Sequence, residues 1–99
     1  MIGYRLLIPA EVEMTEALVF YDEASLGLGN DFLDDVRQAV DRLCSYPQAG
    51  ETIAPNLRRT LLHRFPFSII YSVEDTGILV IAIAHHGRRP GYWESRVDG

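Results

Sequence analysis

The run Ile78-Leu79-Val80-Ile81-Ala82-Ile83-Ala84 carries no polar side chain at either parity. A strand that wets one face alternates apolar with polar residues, so this one has to be covered on both faces. A membrane does not cover it. Even with Gly77 the longest apolar stretch is eight residues, against the ~20 that a spanning helix needs. The run therefore predicts the central strand of a sheet, and the rest of the chain has to supply its neighbours and its cover. At 99 residues, 47% of them hydrophobic, the chain has enough material for one core without metal or disulfide staples. A single domain over residues 1–99 is expected.

The neighbours follow from turn chemistry. Asp75-Thr76-Gly77 supplies a hairpin turn, so Phe67 to Glu74 is the preceding strand. Phe65-Pro66-Phe67 turns the chain before that, with Leu57 to Arg64 as another strand. The first half has a different period. Met14, Ala17, Leu18, Tyr21 and Ala24 recur at helical steps and predict a helix over about 9–24, with Pro9 in its first turn and Glu11, Glu13 and Glu16 near its positive end. Gly27 and Gly29 break it. Phe32, Val36, Ala39, Val40 and Leu43 form the stripe of a second helix. Asp31, Asp34, Asp35, Arg37, Asp41 and Arg42 occupy its outer face, Asn30 or Asp31 caps it, and Pro47 ends it near Tyr46. Tyr4 to Ile8 is an opening strand, and residues 47–56 are expected as a surface loop. The resulting fold is α+β, β-α-α-β-β-β, with a helical hairpin packed on a mainly antiparallel sheet.

Charge is uneven along the chain. Residues 1–50 hold nine acids and three arginines, a net −6; residues 51–99 hold five acids and six arginines, a net +1. Every basic residue is Arg. Such a balance does not suit a general nucleic-acid coat, but it allows one local anionic site built from forked guanidinium groups. Arg58, Arg59 and Arg64, with Arg88 and Arg89 past the last strand, could converge at one end or face of the sheet and clamp phosphates or partner carboxylates; the plain alternative is solvated arginines pairing with the acidic helices. His63, His85 and His86 could exchange protons near neutral pH. On a continuing strand His85 and His86 point apart, so no chelating pair and no metal site are expected. Cys44, the single cysteine, is a small core residue at the edge of the second helix's stripe. Tyr92 and Trp93 could anchor a partner or fold back over the core. No nucleotide-binding fingerprint or nucleophile elbow occurs. No secretory signal opens the chain, and with one cysteine a cytoplasmic location is expected.

The segment from Leu57-Arg58-Arg59-Thr60 through Ser68-Ile69-Ile70-Tyr71, the ending His86-Gly87-Arg88-Arg89-Pro90-Gly91-Tyr92-Trp93 and the order of elements resemble the RelE/ParE superfamily of toxins of type II toxin–antitoxin systems, over nearly the whole chain. The resemblance implies a toxin without cofactor, neutralised by a cognate antitoxin, which touches operator DNA only through that antitoxin. Two mechanisms divide the superfamily. A RelE-like member is a metal-independent ribonuclease cutting messenger RNA on the ribosome. The matching positions would be Arg58, Arg59, Arg64, Arg88 and Tyr92, with His85 or His86 as alternative acid or base. A ParE-like member binds DNA gyrase without chemistry of its own, and target or antitoxin contacts would fall on Arg59, Arg64, Arg88, Arg89, Tyr92 and Trp93. The missing lysines and the acidic balance favour the ParE-like branch, with the ribonuclease as alternative and a degenerate member of little toxicity as a second.

Overall fold

The computed structural model describes residues 2–97. In chain order its elements are β1 (Tyr4–Leu6), α1 (Ile8–Ala24), α2 (Leu28–Ser45), β2 (Glu51–Ala54), β3 (Leu57–Leu61), β4 (Phe67–Glu74) and β5 (Gly77–His85), closed by a 3₁₀ turn at Glu94–Arg96. The strands form one sheet in the order β1-β5-β4-β3-β2. Only the β1–β5 pair is parallel, with Tyr4 opposite Ile78 and Leu6 opposite Val80. The α+β expectation holds.

The apolar run is covered on both faces, by two different devices. Ile78, Val80 and Ile83 join Phe32, Leu43, Ile69 and Tyr71 in the core beneath the helical hairpin. Ile81, Ala82 and Ala84 face the other way, against Leu57, Ile70, Tyr92 and Trp93. Strict alternation would not put both Ile81 and Ala82 on the outer face. A bulge does: Ile70 pairs with Ala82 but Tyr71 pairs with Val80, so Ile81 is the extra residue.

Several local expectations change. Residues 51–54, expected within a loop, form β2 against β3. Arg59 opposite Glu51 and a bulge between Thr52 and Ala54 make this a short, irregular edge strand that composition could not announce. Tyr71 holds the loop before it. Its hydroxyl donates to Pro47 O (2.8 Å) and accepts from Gly50 N (2.9 Å). A Cβ on Gly50 would stand 2.5 Å from that hydroxyl, so glycine is needed for the approach. Neither Asn30 nor Asp31 caps α2. Gly27, in the left-handed region at φ 89°, occupies the cap position, and the Asp22 carboxylate of α1 accepts from Gly27 N and Gly29 N instead. Of the polar tail after Trp93, Asp98 and Gly99 lie outside the described residues, as does Met1.

Asp35 is the largest correction in the helices. It was expected on the solvated face, yet it is buried. Its carboxylate accepts from the amides of His63 (3.2 Å), Arg64 (2.8 Å) and Phe65 (3.3 Å). Those amides turn to Asp35 rather than to a strand partner, so β3 stops at Leu61 and not at Arg64. Removing the carboxylate leaves three turn amides short of an acceptor. Asp35→Ala should cost about 3 kcal/mol, a drop in melting temperature of roughly 10–20 °C in a domain of this size. Asp35→Asn, which keeps one acceptor, should lose less. Equal losses in thermal denaturation would mean that hydrogen bonding at this site does not matter.

Candidate functional site

β1 ends opposite Val80 because Pro9 turns the chain into α1. From Ile81 to His85, β5 therefore has a strand on one side only. A groove opens between that free edge and α1, with Ala17, Phe20, Tyr21, Phe67 and Ile83 along it and Glu16 and His85 at its rim. α1 was expected to be amphipathic. Its inner stripe of Ala10, Met14, Ala17, Leu18 and Tyr21 does pack on the core, but Ala24 is exposed, and so are Ile8, Val12, Val19 and Phe20, the last with 68% of its surface accessible. Large apolar side chains left exposed between the acids of one helix mark a surface that a partner covers.

Glu13 seals the free edge at the far end of the groove. Its carboxylate accepts from Ile83 N (3.1 Å), from both terminal nitrogens of Arg96 (2.8 and 3.1 Å) and from Arg88 (3.3 Å), and Tyr92 Oη donates to it as well. Arg96 in turn donates to Ile81 O at 3.1 Å. Carboxylate and guanidinium thus meet the backbone groups that a longer β1 would have paired. Arg88 also lies over the Tyr92 ring, 3.8 Å from its centre. Burial, reinforced by the Glu13 hydrogen bond and charge, pushes the Tyr92 phenol far above its ordinary range; the guanidiniums of Arg88 and Arg96 oppose this only in part. Tyr92 therefore stays protonated at neutral pH.

The arginines expected to converge are dispersed. Arg58 donates to the carbonyls of Gln48 (3.1 Å) and Gly50 (2.8 Å) and braces the β2 approach. Arg59 pairs with Glu51, and Arg64 stands 3.7 Å from Asp31. Arg89 is exposed and makes no ion pair among the described residues. Of the expected set, only Arg59, His85, His86, Arg88 and Trp93 share a depression, on the outer sheet face with Ser68 in its floor. The histidines point apart as expected: His85 meets the edge of Phe67, and His86 Nε2 lies 3.0 Å from Ser68 Oγ. Among the described residues no group of three or more His, Cys, Asp or Glu could hold a metal ion, and no helix is long and apolar enough to cross a membrane.

Two residues of this surface, Glu13 and Phe20, were not singled out as functional from sequence. Glu13 was counted among the acids of a helix start. The signal lay in Phe20 and Val19, which fall off the predicted apolar stripe.

Residues 9–90 match the family described as ParE toxin of type II toxin–antitoxin system, parDE. The chain belongs to the ParE toxin family. Its fold is that of a chain in the structure of the chromosomal ParDE toxin–antitoxin system from P. aeruginosa, at a TM-score of 0.73 and 20% sequence identity, covering 86% of this chain and 96% of that one. No curated protein sequence matches. The expected membership of a toxin family of type II toxin–antitoxin systems holds at the level of the ParE family.

Proposed function

We propose that this ParE toxin acts by binding DNA gyrase through the segment around Tyr92 and Trp93, and that its antitoxin neutralises it by seating an apolar segment in the groove between α1 and β5. The observation that carries the first half is the state of the basic residues. A phosphate-cleaving site needs donors that converge on one developing charge. Here the arginines are held apart, Arg58 by carbonyls, Arg59 by Glu51, Arg64 by Asp31 and Arg88, with Tyr92, by Glu13, and of the candidates only Arg59, Arg88, His85 and His86 share a depression. A partly exposed Trp93 in one depression with Arg59 and Arg88 suits contact instead, since aromatic residues and Arg dominate interface energetics. The groove's occupant follows from its chemistry. The walls are apolar, Glu16 is exposed at the rim, and the helical half carries −6. A segment with apolar anchors and basic neighbours is its complement.

Purified toxin is to be assayed for gyrase supercoiling and for cleavage of ribosome-bound messenger RNA. Gyrase inhibition without cleavage is expected. Trp93→Ala should weaken gyrase association on the order of 30-fold, the ~2 kcal/mol of an interface anchor. Codon-linked cuts that vanish in Arg64→Ala or Arg89→Ala, with supercoiling untouched, would establish the ribonuclease instead.

A further inference from the structure

The Tyr92–Trp93 segment belongs to no long element. After β5 ends at His85 it has only turns and the three-residue 3₁₀ turn Glu94–Arg96. A contact segment that wandered would lose affinity to the entropy of ordering it at each encounter. Something has to hold it, and its apolar underside is small: Tyr92 and Trp93 lie against the outer cluster around Ile81 and Ala84.

We propose that Glu13, on α1, is the positioning residue for this segment: one carboxylate, reaching across the free edge of β5, fixes the presentation of Tyr92 and Trp93 to the target. The geometry is specific. Glu13 is only 11% exposed and Arg96 17%, so their pair is shielded from water, whereas Arg88 is 54% exposed. The Glu13 oxygens are shared between a backbone amide of the sheet, Ile83 N, and three side chains of the segment, Arg88, Tyr92 and Arg96. Sheet and segment are therefore tied to the same two atoms. Arg96 closes the ring by donating to Ile81 O, the carbonyl of the bulged residue. A surface ion pair contributes little and is readily exchanged. A shielded carboxylate with several charge-assisted donors holds its partners in one arrangement. The amphipathic pattern of α1 is indifferent to position 13, because Glu13 faces neither the hairpin core nor open solvent.

This inference rests on the reading that the segment meets the target, and the test separates the two. Trp93 is the single tryptophan of the chain, so its fluorescence reports the segment directly. Glu13→Gln removes the charge but keeps the shape; Arg96→Gln removes the partner from the segment's side, at a residue that does not itself line the groove. Both should shift Trp93 emission to the red and raise its quenching by acrylamide several-fold, with far-UV circular dichroism retained. Both should weaken gyrase association by about 10-fold, and Arg96→Gln should leave the co-expressed antitoxin bound as in the native protein. The double variant should be no worse than the worse single one, because both break the same interaction. Unchanged quenching in the folded variants would overturn the positioning role, and Arg96→Gln alone decides it should Glu13→Gln fail to fold. A native protein that does not bind gyrase at all would overturn the target reading instead, while the Trp93 response would still decide the role of Glu13.

Discussion

Val40→Asp should come close to unfolding the protein at room temperature. Val40 is 3% exposed in the middle of α2, within the cluster that includes Phe32, Leu43 and Tyr71. A carboxylate there meets methyl groups and rings. It loses its water and gains no hydrogen-bond partner, a penalty of about 4–5 kcal/mol on top of the lost apolar contact. A domain of this size has only about 5–15 kcal/mol of stability in total, so melting should fall by roughly 20–30 °C. Val40→Ala is the control: it deletes two carbons without charge, and should cost about 2 kcal/mol.

The same variant carries a pH signature of definite sign. Burial disfavours the charged form, so the introduced carboxyl has its folded-state pKa raised above its unfolded value. The folded state then binds more protons than the unfolded one between the two values, and stability falls as pH rises through that window. The deficit of Val40→Asp relative to the native protein should therefore be smaller near pH 4 than near pH 7. A pH-independent deficit in parallel melts would show that the side chain escapes to solvent and that position 40 is not core.

That prediction depends on helix register, the part of the fold most legible in the sequence. Five apolar residues of α2 at three- and four-residue steps leave one register possible, and all five are buried. The β4–β5 hairpin was equally legible, because Asp75-Thr76-Gly77 names its turn and the apolar run names its central strand. What the sequence hid are interactions between residues far apart in the chain. Asp35 looks like any acid on a helix until the turn at 63–65 arrives to donate three amides to it. β2 is four residues of mixed polarity, and its approach is ordered by Arg58 and by Tyr71, the latter twenty-one positions beyond Gly50. The arginine cluster failed for a related reason. Adjacent arginines on a strand point to opposite faces, so Arg58 and Arg59 had to part, and acids of the two helices, Asp31 and Glu13, drew Arg64 and Arg88 apart. Glu13 could not be found from its neighbours, because its partners lie seventy or more positions away.

The remaining expectation concerns the groove, where sequence pattern and packing disagree most. Phe20 lies on α1 with 68% of its surface exposed, so its replacement barely touches the core and should change stability by less than about 0.5 kcal/mol. Its ring nevertheless lines the groove beside Ala17, Tyr21 and Ile83, where a partner's apolar side chains would bury it. An aromatic anchor covered in this way accounts for ~2 kcal/mol or more of binding. A carboxylate in its place removes the ring and has to give up its water against the partner's apolar side chains. Phe20→Glu should therefore weaken the antitoxin complex by about 100-fold or more, while Phe20→Ala stops near 30-fold. If the occupant carries basic residues, the native affinity should also fall as salt is raised from low to physiological levels, because an exposed attraction of opposite charges is screened over about 8–10 Å. Titration of the cognate antitoxin against the folded variants measures each of these. Native-like affinity in Phe20→Glu would move the antitoxin off α1, and the apolar outer face of that helix would then need a different partner.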